Sequence, residues 1–172
     1  MNPAVFLDRD GIINEDFGYV YQYDDFQWIP GAIDAIKLLN SLGYLVIIIT
    51  NQSGIARGYY LESHVQALHQ QINKDLQASQ ATIDAFYYCP HHPEAKVRFY
   101  RRNCDCRKPM PGLILQGIEQ FEIDKSRSFL IGDKESDVEA AKNAGIQGYQ
   151  FLDGNLYSFV LRILEKRRTE HV

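Results

Sequence analysis

The sequence predicts an α/β fold, with one parallel sheet flanked by helices. Two observations point there. Short, solid apolar runs of strand length recur along the chain, and between them lie segments whose apolar residues step by three and four. Their alternation implies a parallel sheet with right-handed crossovers, so all strand ends point the same way. The first run, residues 4 to 7, is apolar throughout and stops at Asp8, as a buried strand would. Residues 31 to 42 set Ile33, Ile36, Leu39 and Leu42 on one helical face, and Gly43 is a natural stop. Leu45 to Ile49 is a largely β-branched run, a second strand ending at Thr50. Val65, Leu68, Ile72 and Leu76 mark an amphipathic helix, and Ile83 to Tyr88 a third strand. Residues 89 to 110 hold all three cysteines and several arginines and read as loop. Ile114, Ile118 and Phe121 mark a helix that starts near Pro111, a favourable first-turn residue. Ser128 to Ile131 is a fourth strand running into Gly132-Asp133. A helix from Glu135 to Ala144 is closed by Gly145, and Gly148 to Leu152 is a candidate fifth strand. Leu156, Phe159, Val160, Ile163 and Leu164 give a last helix, whose basic end, Lys166 to Arg168, suits the helix dipole.

No linker, repeat or low-complexity segment interrupts this order, so one domain spanning 1–172 is expected. A chain that is 45% hydrophobic and 23% charged is ordinary for a globular protein. Its net charge of −4 gives no general attraction to nucleic acid or to an anionic membrane, and no apolar run is long enough to span a bilayer. The first strand begins at Ala4, which leaves no room for a signal peptide. Three cysteines fit poorly with a complete disulfide framework, so a reducing cytoplasm is the expected compartment.

The most informative stretch is Asp8-Arg9-Asp10-Gly11. Two carboxylates this close repel when both are ionised, so either a cation sits between them or one keeps its proton. Both outcomes serve phosphoryl chemistry, in which one ionised acid attacks phosphorus and a protonated neighbour meets the leaving oxygen. A calcium loop would want an oxygen ligand at position 12, where this chain has Ile12. Further polar signals follow other strand ends or precede helices. These are Thr50-Asn51-Gln52-Ser53-Gly54, Lys108-Pro109, and Gly132-Asp133-Lys134 with Asp137. In a parallel sheet they converge on one edge. Asp8 and Asp133 offer hard oxygens to Mg²⁺, Thr50 a hydroxyl to a phosphoryl oxygen, and Lys108 a fixed positive charge that Asp137 could orient. Taken singly, Thr50-Asn51 could be a turn, Lys108 a surface lysine and Asp133 a helix cap.

This ordered set resembles the haloacid dehalogenase superfamily of phosphohydrolases, whose four motifs are matched by Asp8-Arg9-Asp10-Gly11, Thr50, Lys108 and Gly132-Asp133-x-x-x-Asp137. The resemblance runs from about Phe6 to about Leu152. It implies a Rossmann-like sheet, an aspartyl-phosphate formed on Asp8, and Asp10 as the acid and then the base. It also implies Mg²⁺ held by Asp8, the main-chain carbonyl of Asp10, and Asp133. Ile12 departs from the threonine or valine common there.

The loop narrows the choice. Cys89-x-His91 and Cys104-x-Cys106 offer three thiolates and an imidazole, a tetrahedral set for structural Zn²⁺ that would fix the base of the arm carrying Lys108. His92 is an alternative fourth ligand; free thiols or a Cys89–Cys104 disulfide are the alternatives to metal. A zinc-bound loop at this place resembles the branch that includes heptose bisphosphate phosphatases and histidinol phosphatases, and by that resemblance His91 is the ligand. The same resemblance extends to Gly18-Tyr19-Val20 and to Thr50 through Gly58. It implies removal of the 7-phosphate from a heptose 1,7-bisphosphate on the way to lipopolysaccharide or related glycans. Substrate contacts would come from Asp16, Phe17, Gly18, Tyr19, Asn51, Gln52, Ser53, Arg107 and Lys134. Arg107 and Lys134 suit the second anion of a bisphosphate. About 40 residues between Asp10 and Thr50 are too few for a large cap domain, so an open pocket is expected. The protein is separately expected to be a monomer. The rival substrate is histidinol phosphate. A rival of another class is a non-catalytic zinc-stabilised binding module using Arg98, Phe99, Tyr100, Arg101, Arg102 and Arg107.

Overall fold

The computed structural model describes residues 1–170; His171 and Val172, the end of the expected domain, lie outside the described residues. Five strands form one parallel sheet: β1 (Ala4–Leu7), β2 (Leu45–Asn51), β3 (Ala85–Cys89), β4 (Phe129–Gly132) and β5 (Gln147–Gln150). Their order, β3-β2-β1-β4-β5, reverses beside β1, as in Rossmann-like sheets, which bind ligands at that switch point. Val5 pairs with Val46 on one side and Phe129 on the other, so β1 is central and Asp8 follows its carboxyl end.

Helices α1 (Ala32–Ser41), α2 (Glu62–Ala78) and α5 (Leu156–Glu170) cover one face, and α3 (Gly112–Gln120) and α4 (Glu135–Ala144) the other. Strand alternation divides the core accordingly. Val5, Leu7, Val46, Ile48, Phe129 and Ile131 pack under Ile36, Leu39, Leu68, Ile72 and Val160. Ala4, Phe6, Ile47, Ile49 and Leu130 pack against Leu113, Ile114, Ala140 and Ala141. Both faces of the central strands are buried, which is why they read as solid apolar runs.

Several boundaries differ from the sequence reading. Leu42 is not on the buried face; α1 ends at Ser41, and Leu42 is the exposed cap residue. β3 starts at Ala85, two residues later than expected, and β5 ends at Gln150, leaving Leu152 80% exposed. The cysteine loop carries one 3-10 turn, Arg98–Tyr100. Between Asp10 and α1 the chain forms a 3-10 turn, Tyr23–Asp25, and isolated bridges, including Asn14 with Trp28. That segment holds no helix or strand longer than this, consistent with an uncapped sheet edge.

Candidate active site

The carboxyl edge of the sheet opens into a cleft of about 560 Å³. Asp8, Asp10, Asp16, Gly18, Tyr19, Thr50, Asn51, Gln52, Ser53, Arg107, Lys108, Lys134 and Asp137 line it. Thus most of the residues singled out by sequence, drawn from five separate segments, meet in one place. Phe17 is not among the lining residues; it borders an adjoining hollow with Asp24, Asp25 and Phe26. Asp133 lies beneath the cleft against Asp8 and Asp137, with one oxygen of each acid within 4.8 Å of the others.

Each of the paired acids has its own cation. Lys108 Nζ donates to Asp8 Oδ1 at 2.9 Å, to Asp137 Oδ1 at 2.6 Å and to the Ile49 carbonyl at 3.1 Å. All three of its protons are engaged, so it is a fixed charge beside Asp8 and no surface lysine. Asp137 does two things, because its other oxygen accepts the backbone N–H of Lys134 at 3.0 Å and so caps α4. The Asn51 side chain clamps the Lys108 backbone, accepting from its N–H at 3.0 Å and donating to its carbonyl at 3.3 Å. Burial would lower the Lys108 pKa, but Asp8 and Asp137 outweigh it and raise it, keeping the ammonium charged.

Asp10 pairs with Arg9 at 2.9 Å, and Arg9 is wholly buried. Sequence reading passed over Arg9, because an arginine between two acids reads locally as exposed. The fold brings the Val20 carbonyl and His69 Nε2 to its guanidinium, the latter at 3.3 Å. His69 comes from α2, stacked on Phe86, and burial, reinforced by Arg9, lowers its pKa to about 3, so it is neutral. Burial pushes the Asp10 carboxyl up, but Arg9 and hydrogen bonds from Asn14, Arg9 and Gln52 hold it below its usual range. Asp8 is driven the other way, up to about 8, by burial foremost, with Lys108 opposing and Asp137 and Asp10 adding.

Asp8, Asp133 and Asp137 thus form a carboxylate group with one ammonium, Lys108. Asp133 Oδ1 is buried with no hydrogen-bond partner. Gly11, at φ +86°, lies so close that a Cβ there would overlap the Asp133 carboxylate. Hard oxygens, excess negative charge, an orphaned carboxylate oxygen and a cradle kept open by glycine fit a divalent cation such as Mg²⁺.

Behind Lys108, Cys89, Cys104 and Cys106 are free thiols that gather with His91 Nδ1, the four atoms lying within 4.8 Å of one another. The cysteines are not disulfide-bonded, and His92 is turned away, its Nδ1 accepting from the Glu94 N–H at 3.1 Å. Cys106 Sγ and Cys89 Sγ are in hydrogen-bond contact at 2.8 Å, which pulls Cys106 down to about 5 and pushes Cys89 up. The Cys89 carbonyl accepts the Gln52 N–H at 2.8 Å, and Asp105 O accepts the Gly112 N–H at 2.7 Å, so the cluster is tied both to the end of β2 and to the start of α3.

A Rossmann-like sheet whose edge gathers paired acids, a hydroxyl, a buried lysine and a carboxylate cluster in this order is that of a haloacid dehalogenase-like hydrolase, a phosphoric monoester hydrolase. Comparison agrees: a HAD-hydrolase-like family model matches residues 105–158. The D-glycero-beta-D-manno-heptose-1,7-bisphosphate 7-phosphatase of Rhodopseudomonas palustris is 48% identical over 94% of this chain and 90% of its own. The Escherichia coli K12 enzyme of the same name is 44% identical over 84% of this chain and 75% of its own. Among solved structures, the D,D-heptose 1,7-bisphosphate phosphatase of B. bronchiseptica, complexed with magnesium and phosphate, superposes with TM-score 0.85 at 27% identity, covering 95% of this chain and 99% of that one. The chain therefore belongs to the heptose bisphosphate phosphatase family of the haloacid dehalogenase-like hydrolases.

Proposed function

We propose that this protein removes the 7-phosphate from D-glycero-β-D-manno-heptose 1,7-bisphosphate. The carrying observation is that Asp8, Asp10, Thr50 and Lys108 share one cleft with a second cationic pair, Arg107 and Lys134. Arg107 has a buried nitrogen, NH1, without a hydrogen-bond partner, as a site for a second phosphate would require. The names of the relatives supply the sugar and the position of the bond.

In this reading an Asp8 carboxylate oxygen attacks phosphorus, and the bond from phosphorus to the C7 oxygen breaks. Asp10, ionised in the free site, takes up a proton as the phosphate anion binds beside it, and gives that proton to the departing oxygen. Asp10, now ionised, takes a proton from water as the water oxygen attacks the aspartyl-phosphate; inorganic phosphate leaves and Asp8 is restored. Thr50 meets a phosphoryl oxygen, and Lys108 holds Asp8 in line and offsets its charge. Mg²⁺ would be held by Asp8, Asp133 and the Asp10 carbonyl, and when bound it would neutralise phosphate charge and favour the ionised form of Asp8. Asp16, Gly18, Tyr19, Asn51 and Ser53 make up the remaining substrate surface, with Gln52 engaged in the wall behind them and Phe17 on the adjoining hollow. Cys89, His91, Cys104 and Cys106 would hold Zn²⁺ in a structural role. The enzyme acts as a cytoplasmic monomer in the synthesis of heptose for lipopolysaccharide or related glycans. No helix among the described residues is long and apolar enough to cross a membrane.

The test is steady-state kinetics in Mg²⁺ on both anomers of heptose 1,7-bisphosphate, with histidinol phosphate as control. Heptose bisphosphate should be the better substrate, and Asp8→Asn should abolish turnover. Faster hydrolysis of histidinol phosphate would overturn the substrate assignment, and turnover that survives Asp8→Asn the mechanism.

A further inference from the structure

We infer that Gln52 is a positioning residue for the acid–base group, locked by Tyr60, and no ligand of the substrate. Gln52 is part of the cleft wall, yet it is 2% exposed and its side chain is already engaged. Its Nε2 donates to Asp10 Oδ2 at 3.1 Å and to Thr50 Oγ1 at 2.9 Å. Both amide protons are therefore committed to the two groups the reaction uses. Its Oε1 accepts from the Tyr60 hydroxyl at 2.6 Å. That bond selects the orientation of the amide, because the flipped form would set a carbonyl oxygen against the Asp10 carboxylate.

Tyr60 is built in for this. It is 4% exposed, stacked on Tyr21 with ring centroids 4.9 Å apart, and packed with Ile55 and Val65. A Cβ at position 54 would overlap its ring, so the glycine of Ser53-Gly54-Ile55 leaves the space the tyrosine occupies. The opposite oxygen of Asp10, Oδ1, is held by Arg9 at 2.9 Å and Asn14 at 3.0 Å. Asp10 is thus gripped on both oxygens, and Gln52 is the grip that also sets its distance from Thr50. General acid–base catalysis depends on such placement, since proton transfer falls off steeply once the donor leaves hydrogen-bond reach.

The inference rests on the phosphatase reading, and leaving-group dependence separates the two. Asp10 must protonate a sugar alkoxide, but a nitrophenolate leaves with little help. The quantity to follow is kcat/KM, which reports the steps through departure of the leaving group. For Gln52→Leu, kcat/KM on heptose bisphosphate should fall about 100-fold while that on p-nitrophenyl phosphate falls less than about 10-fold. Inhibition by inorganic phosphate should be unchanged within about 2-fold, because no phosphate contact is lost. Tyr60→Phe, which removes one oxygen and keeps the ring, should show the same bias with a smaller loss, and it serves if Gln52→Leu does not fold. Equal losses on the two substrates, or weakened phosphate inhibition, would show Gln52 to be a substrate ligand and overturn the inference. If the wild type hydrolyses neither ester, it is the phosphatase reading that fails.

Discussion

Replacing Lys108 by methionine tests how the site is held together. The side chain is 3% exposed, and its ammonium serves Asp8, with 11% of its side chain exposed, and Asp137, with 1%. Methionine fills much of the volume but leaves two buried carboxylates facing each other and the Ile49 carbonyl without its donor. Removing one partner of a buried pair costs about 3–5 kcal/mol, because the remaining charge is neither solvated nor matched. At about 2–4 °C per kcal/mol for a chain of this size, the melting temperature should fall by roughly 10 °C. The cost should depend on pH. Burial raises Asp8 to about 8 even with Lys108 opposing, so without the ammonium it titrates higher still. In the unfolded chain the same acid ionises near pH 4. The folded variant therefore binds more protons than the unfolded one between these limits, and its stability should fall as pH rises from 5 to 8. Urea denaturation of wild type and Lys108→Met at both pH values measures this. Adding Asp137→Asn, which keeps an oxygen for the Lys134 N–H, should recover about 1–2 kcal/mol of the loss by removing one stranded charge. A loss below about 1 kcal/mol for the single variant, or simple additivity in the double, would refute the reasoning.

His69 takes a proton near pH 6.5 when unfolded but only near pH 3 in the fold, so stability should fall as pH drops through that window. At pH 5 this amounts to about 2 kcal/mol, and His69→Gln should flatten the dependence seen in urea titrations; an unchanged slope would show His69 to be irrelevant to it. Gly11→Ala places a Cβ in the Asp133 carboxylate at a φ of +86°, so the Mg²⁺ concentration for half-maximal activity should rise about 10-fold or more, and an unaltered Mg²⁺ requirement counts against the metal cradle. Purified wild type should contain about one zinc per chain by atomic emission, and Cys104→Ser little, with faster proteolysis between Cys89 and Lys108. A zinc-free but protease-resistant wild type would rule out the structural metal.

Sequence alone determined the sheet, the helices and the edge where chemistry collects. Those features are local: a strand buried on both faces must be apolar throughout, and a helix buried on one must repeat near 3.6 residues, so Ala4–Leu7 and Val65 through Leu76 declare themselves. Asp8, Thr50 and Asp133 were legible because each sits at or just past the end of such a run. Only the tertiary structure decided what those side chains touch. Lys108 could pass for a surface lysine until its partners, Asp8 and Asp137, arrived from 100 and 29 residues away to bury it. Arg9, neighbour to both acids, gave no sign of being core, since its partners Val20 and His69 lie on other segments. Phe17 and Gln52 stand in sequence beside residues that face the cleft, yet one borders a neighbouring hollow and the other, though in the cleft wall, commits its side chain to Asp10 and Thr50. Periodicity fixes which face a residue occupies; hydrogen bonds across long loops fix its partner, and nothing in the spacing of a linear chain encodes those until the sheet has closed the distance.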